Sequence, residues 1–448
     1  MRHAGMALMS AGLVLSVCAA AVCGPDVGAR GGLESPTPRE ATMMAVTGTK
    51  TVAYAGYVIE VPAGWPVYRL ATQPHRCVRY DVHAVYLGTP GPDQQCPAHL
   101  VGRTEAVRID STVTGAESSG RLAGGASGRL SGGAASSRLV RGASPGLSVT
   151  ATYAGNPAMV ERIIASVHGA PRPAPVVSVA MPASLVPASL LALSAPKWAA
   201  RARATKAAAA ARPGKVFAHG PIAGFDTCTA PSVRAMRAWR RAYAAIGVYI
   251  GGVNRACDAG NLTRHWVRRV KAMGWWLIPT YVGLQPPCDH FSARIKPRHA
   301  ITEGSAAADD AIAQARSLGL HRHAPIYVDM EAYNDTKRRC RRAVLAFLDS
   351  WTRRLRARGY VPGVYSSAGS GVEDLGNTTS IAGHPLARPK SIWFALWDGR
   401  RNVRGGPYML ASWWPGERRI KQFHGAVWRK HGGFRLNIDI DRVFGAVY

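Results

Sequence analysis

The sequence predicts an α/β protein: a (β/α)8 TIM-like barrel at the C-terminus, preceded by a small α+β module. Three observations carry this. Eight short segments of strand character recur through residues 216–448, with helical patterns between several of them. Eight β units over that length match a (β/α)8 barrel, which takes about 250 residues. A doubly wound sheet, the alternative, usually opens on a Gly-rich phosphate loop after its first strand, and Asp226-Thr227-Cys228-Thr229 is not one.

The chain begins with Arg2 and His3, then an apolar, uncharged run from Met6 to Ala21 that ends in Ala19-Ala20-Ala21. This is the layout of a secretory signal peptide over 1–21, and the run is shorter than the roughly 20 residues of a membrane span. Residues 45–168 read as the small α+β module. Val52–Tyr54, Tyr57–Val61 and Ala84–Leu87 have strand character, 111–147 is a Ser/Gly/Ala/Arg-rich loop, Leu147–Tyr153 is another strand, and 157–168 is a short amphipathic helix. Residues 169–215 form a Pro/Ala-rich linker. Pro175, Pro182 and Pro187 break any helix there, so no stable membrane span is expected after signal cleavage. The linker predicts a barrel that folds alone.

In the barrel region the strands are Gly224–Asp226, Gly247–Gly251, Trp276–Val282, Ile326–Glu331, Gly363–Ser366, Ile392–Trp397, Ile420–Phe423 and Ile438–Asp441. Helices are expected at 231–244, 262–273, 305–318 and 338–357, with short or degenerate connections after strands five to seven. In an oxidising compartment the cysteines read as bridges. Cys77 and Cys96 share the module and are expected to pair. Cys228, Cys257, Cys288 and Cys340 allow three connectivities, which the sequence leaves open, and are expected to form two bridges near the mouth. Cleavage after Ala21 removes Cys18 and leaves Cys23 odd.

Charge and chemistry narrow the function. Lys and Arg number 56 against 26 Asp and Glu, and the formal charge of +30 favours an anionic partner. No nucleic-acid motif is present, so anionic wall polymers are the expected partners of the basic surface. The sharpest feature is Ile326-Tyr327-Val328-Asp329-Met330-Glu331. Residues two apart share a strand face, so Tyr327, Asp329 and Glu331 point into the lumen. Two carboxylates on one buried face are costly without a use, and they push one pKa up, as a general acid requires. Glu331 is therefore expected to stay protonated toward neutral pH. Asp226 ends the first strand and Asp439 and Asp441 end the last; parity does not choose which of the last two faces inward. Clustered carboxylates at a barrel mouth suit glycoside hydrolysis. Mg²⁺ or Ca²⁺ is the competitor, but no Cys/His spacing suggests a metal and no cofactor is expected. Tyr249, Tyr281, Tyr327, Tyr365, Trp393, Trp397 and Gln422 are candidates for gripping sugar. His265, His290 and His323 read as surface residues.

The runs Gly224-Phe225-Asp226-Thr227-Cys228, Tyr249-Ile250-Gly251-Gly252, Pro279 to Gln285, Ile326 to Glu331 and Gly363-Val364-Tyr365-Ser366-Ser367 resemble the secreted actinobacterial glycoside hydrolase-like barrel family. That family has been described as a domain of unknown function and is similar to the Chalaropsis-type lysozymes of glycoside hydrolase family 25. The resemblance covers 219–448 and implies a first-strand acid at Asp226, a proton donor at Glu331, and at Asp329 the carboxylate that stabilises the oxocarbenium or oxazolinium. The last-strand aspartates fit the lysozyme pattern more loosely. The expected function is a secreted, cell-wall-associated hydrolase acting on peptidoglycan-type glycan. The alternatives are a non-catalytic wall-polysaccharide-binding module on the same barrel, and an envelope-surface interaction protein that works through residues 45–168. An enzyme needs both Asp329 and Glu331 open to the mouth; a binding module needs only the aromatics.

Overall fold

The computed structural model describes residues 48–111, 138–140, 147–169 and 220–448. The expected signal peptide, most of the 111–147 loop and nearly all of the expected linker lie outside them. The described residues fall in one compact unit, Gly48–Tyr448.

The N-terminal module holds β1 (Thr49–Tyr54), β2 (Tyr57–Pro62), β3 (Val67–Arg69), β4 (Ala84–Leu87), β5 (Ala106–Ser111), β6 (Arg138–Val140), β7 (Leu147–Thr152), α1 (Pro157–Ala165) and β8 (His168–Gly169). They form a three-stranded sheet, β1-β2-β8, and a five-stranded sheet, β3-β4-β5-β7-β6. Ile59, Val61, Val85, Val107, Ile109 and Val149 alternate onto the faces buried between them, and Val160 and Ile163 bring α1 onto that core. Asn156 caps α1, its Oδ1 accepting from the Met159 amide at 3.0 Å.

The rest of the chain runs β9 (Ile222–Asp226), α2 (Val233–Trp239), β10 (Ala245–Gly251), α3 (Arg264–Ala272), β11 (Trp276–Tyr281), α4 (Ala300–Ser317), β12 (Pro325–Asp329), α5 (Arg338–Ala357), β13 (Val361–Ser367), α6 (Glu373–Asn377), β14 (Ser380–Ile381), β15 (His384–Pro385), β16 (Ser391–Ala395), β17 (Arg419–His431) and β18 (Phe434–Phe444). Ser232 and Thr263 cap α2 and α3 with side-chain oxygens 3.1 Å from the Ala235 and Trp266 amides. Eight strands close a barrel in the order β9-β10-β11-β12-β13-β16-β17-β18.

This corrects the expected (β/α)8 TIM-like barrel. The closed eight-stranded barrel is present, but the regular alternation is not. Full helices follow only β9 to β12; β13 is followed by the five-residue α6, and among the described residues no α-helix follows β16. The seven barrel strands β9, β10, β11, β12, β13, β16 and β17 are parallel, whereas β18 runs antiparallel to both β17 and β9. The cause is local. Gly432 and Gly433, both at positive φ (54° and 89°), turn the chain between paired His431 and Phe434. A two-residue Gly-Gly turn makes a hairpin and leaves no length for a crossover helix.

Two cores flank the barrel wall. Outside it, Trp239, Trp266, Phe347 and Trp351 pack the helices onto the outward residues Ile246, Leu277, Ile326 and Val328. Inside it, Ala245, Ile278, Tyr327, Trp393, Ile420 and Val443 fill the lower lumen. The module docks on the β10–α3 loop. Tyr80 N donates to Ala256 O at 2.7 Å, Gly102 N to Asn254 O at 2.9 Å, and Arg108 Nη1 to Asp258 Oδ2 at 2.5 Å. Disulfides join Cys77 to Cys96, Cys228 to Cys257 and Cys288 to Cys340. The first is the expected pair, and the other two settle the open connectivity.

Candidate functional site

The acidic residues collect at the C-terminal end of the parallel strands. Asp226 ends β9 and Asp329 ends β12. β18 enters at the same end because it runs the other way. Asp439 pairs with Asp226, and Asp441, one layer deeper, pairs with Gly224. Period-two alternation puts both aspartates in the lumen, so the choice between them dissolves. Trp393 Nε1 donates to Asp441 Oδ1 at 3.0 Å. Gln422 on β17 is the hub. Its Nε2 donates to Asp226 Oδ2 at 3.0 Å and Asp439 Oδ2 at 3.2 Å, and its Oε1 accepts from Tyr365 Oη at 3.1 Å and Trp397 Nε1 at 3.0 Å. Tyr249 Oη donates to Asp226 Oδ1 at 2.8 Å.

Glu331 lies two residues beyond the end of β12. Gln285 holds that segment in place: its Oε1 accepts from Glu331 N at 2.9 Å and its Nε2 donates to Asp329 O at 3.0 Å. Gln285 lies within the family-like run, yet strand parity assigned it no role. The aromatic candidates divide. Tyr249, Tyr365 and Trp397 reach the cluster, and Trp397 is 60% exposed at its rim. Tyr327 and Trp393 belong to the lower lumen, where Tyr327 Oη donates to Ala446 O at 2.8 Å. Tyr281 faces the helices and donates to Asp310 Oδ2 at 2.7 Å. Parity explains this, since Thr280 next to it is the inward residue.

The decisive residue was not legible in the sequence. His99, from the N-terminal module, reaches into the mouth. Its Nε2 lies 2.8 Å from Glu331 Oε1 and 3.6 Å from Asp329 Oδ2, and its Nδ1 lies 2.5 Å from Tyr249 Oη. Asp226, Asp329, Asp439 and Asp441 are at most 2% exposed, while the Glu331 side chain keeps 25% of its surface.

Electrostatics follow from this crowding. Burial and then Glu331 hold Asp329 well above the usual carboxylate range. Burial and then Asp439 push Asp226 up to about 7, and burial and then Asp226 raise Asp441. Burial works against the His99 imidazolium, but Glu331 and Asp329 outweigh it and hold that pKa well above the ordinary value. Glu331 corrects the sequence expectation. Burial acts upward on it, yet the charge and hydrogen bond of His99 win and its pKa is lowered. In this arrangement Asp329 keeps the proton and Glu331 carries the charge.

Two sets of donor atoms, His99/Asp329/Glu331 and His99/Asp226/Asp439, each lie within 4.8 Å of one another, close enough to hold a metal ion. Such nitrogen and oxygen donors suit Zn²⁺ or Mn²⁺. Among the described residues no helix is long and apolar enough to cross a membrane.

Residues 237–443 match the family model of the Rv2525c-like, glycoside hydrolase-like domain. Similar solved structures include an uncharacterized B. stearothermophilus protein, 18% identical, covering 51% of this chain and 100% of that one with a TM-score of 0.35. The Mycobacterium tuberculosis Tat-secreted protein Rv2525c, solved with L-tartrate, is 16% identical over 51% of this chain and 98% of that one, with a TM-score of 0.34. A family 25 glycosyl hydrolase from Bacillus anthracis is 11% identical over 53% and 95%, with a TM-score of 0.33. No curated protein matches the chain.

Proposed function

From a barrel that carries a glycoside hydrolase-like domain, we propose a secreted hydrolase that cleaves peptidoglycan-type glycan of the cell wall. The observation that carries this is the Asp329/Glu331 pair at the mouth. Their oxygens lie within 4.8 Å of each other, so the two carboxyls act on one reacting centre, as the paired carboxyls of glycoside hydrolysis do. One carboxyl of such a pair holds a proton and the other a charge. Glu331, the more exposed, protonates the glycosidic oxygen once His99 no longer holds it ionised. Asp329 then stabilises the positive charge developing at the sugar or orients an N-acetyl group that attacks it. Trp397 offers a flat exposed face at the rim for a sugar ring. Three disulfides suit an oxidising compartment, the signal-peptide layout suits export, and the charge of +30 suits anionic wall polymers.

The complete burial of Asp329 favours a second reading, a wall-binding module without turnover. The test is reducing-sugar release from purified walls beside wall pull-down. If the chain is a hydrolase, Glu331→Gln and Asp329→Asn each lose about 10²–10⁴-fold in turnover and keep binding. Undiminished lysis by Glu331→Gln ends the assignment. Firm retention with no lysis by any form, weakened by Trp397→Ala, establishes the binding module.

A further inference from the structure

The geometry points to a role for the N-terminal module: it is an intramolecular inhibitor of the barrel, and His99 is the plug it sets in the mouth. The activity arm of this inference rests on the hydrolase reading; the occlusion does not.

Position comes first. A general acid must come within about 2.6–3.2 Å of the atom it protonates. His99 Nε2 already stands 2.8 Å from Glu331 Oε1 and 3.6 Å from Asp329 Oδ2. The imidazole therefore already occupies the hydrogen-bonding position on Glu331 Oε1 that a glycosidic oxygen has to take.

Charge and shape come second. Hydrolysis passes through a flattened, positively charged sugar ring, and sites bind mimics of the transition state more tightly than substrate. A planar imidazole hydrogen-bonded to the Glu331 carboxylate and beside the Asp329 carboxyl, with Tyr249 on its other nitrogen and the Tyr365 ring 5.9 Å away, presents both properties.

Anchorage comes third. The plug segment is fixed outside the acidic cluster: Ala98 N donates to Asn437 Oδ1 at 2.8 Å, and Gly102 N to Asn254 O at 2.9 Å. Arg108 binds Asp258 at 2.5 Å. These contacts lie apart from the carboxylates, beside the buried half-cystines Cys77, Cys96, Cys228 and Cys257, so a change at Asp258 weakens the junction without touching a carboxylate of the site.

The test uses the full chain with His99→Ala and, as an independent opening of the interface, Asp258→Asn. The first readout is labelling of Asp329 and Glu331 by a water-soluble carbodiimide and an amine, mapped by peptide mass. The second is reducing-sugar release from purified peptidoglycan. Both variants should label at least tenfold faster than wild type and turn over at least tenfold faster. Labelling that rises without turnover in any form supports the plug and removes the hydrolase reading. Equal labelling in all three proteins overturns the inference. Turnover that falls in His99→Ala also overturns it, and makes His99 a positioning residue. A rise in melting temperature with Zn²⁺ or Mn²⁺ that wild type shows and His99→Ala lacks would overturn it in favour of a cation site.

Discussion

Glu105 ties the plug segment to the body of the module, and its replacement by Gln is the sharpest stability test. The residue precedes β5, and its side chain is 8% exposed. Its Oε1 accepts from the amides of Ala154, Gly155 and Asn156 at 3.0, 2.8 and 2.7 Å, and its Oε2 from Thr104 Oγ1 at 2.9 Å. Burial acts upward on its pKa, but these four donors outweigh it and bring the group from 4.5 down to about 2. That drop corresponds to about 3 kcal/mol of stabilisation of the ionised form in the fold. Gln keeps the shape and loses the charge. Glu105→Gln should therefore lower the unfolding free energy by about 2–3 kcal/mol at pH 7. A depressed carboxyl contributes its stability above the unfolded pKa and loses it as pH falls through the folded one. The gap between the proteins should thus be full above about pH 5 and mostly gone at about pH 2. Urea unfolding of both full chains, followed by circular dichroism across that range, measures it. A gap below about 0.5 kcal/mol at pH 7, or one that does not close in acid, would refute the assignment of Glu105 as the ionised anchor of this turn.

Three further outcomes are expected. Replacing Cys288 and Cys340 together by Ser opens a loop with a sequence separation of 52; the chain-entropy relation gives about 4 kcal/mol, to be read by calorimetry against the intact protein. Gly252→Ala should destabilise by roughly 2–4 kcal/mol, because φ is +110° and the added Cβ would lie 2.0 Å from Val282 O; Gly399→Ala, at φ +70° with nothing nearby, should cost less in the same melt. Glu331→Gln should lower the His99 pKa, seen by imidazole NMR, since the largest favourable influence on the imidazolium is removed. A raised histidine pKa stabilises below its unfolded value and loses that contribution as pH rises through the folded one, so the variant should lose it at lower pH than wild type.

Local pattern made much of this molecule readable. The alternation Tyr327-Val328-Asp329 gave the inward carboxylate, and Asp226 stood at the end of its strand as expected. The hairpin was readable too: Gly432-Gly433 before the alternating run Phe434-Arg435-Leu436-Asn437-Ile438 is a turn signal, and missing it led to a parallel eighth strand. Tyr281 failed for a similar reason, because parity within its own strand points it at the helices. His99 is different in kind. Its partner Glu331 is 232 residues away in sequence, and a lone loop histidine carries no periodicity, spacing or composition that marks it. Only the docking of the module on the Gly252–Asn261 loop brings the two together, and that is a property of the folded surface.

The junction between module and barrel also has a consequence for how the chain matures. Cys77, Cys96, Cys228 and Cys257 form one buried cluster, and the Sγ atoms of Cys77, Cys96 and Cys257 lie within 4.8 Å of one another. Thiolate exchange among them needs almost no backbone travel. While one of these cysteines is still a thiolate, it can attack a disulfide formed by its neighbours and release another thiolate, so proximity alone cannot select the native pairing. Order of closure can. Cys77 and Cys96 are 19 residues apart and Cys228 and Cys257 are 29 apart, whereas cross-pairing must close a loop of more than a hundred residues, from Cys96 to Cys228 at the least. The local bridges are entropically cheaper to close, and the N-terminal one is the first available as the chain emerges. A chain oxidised before docking is thereby committed to two bridges, while one that docks while still reduced requires thiol–disulfide reshuffling to recover.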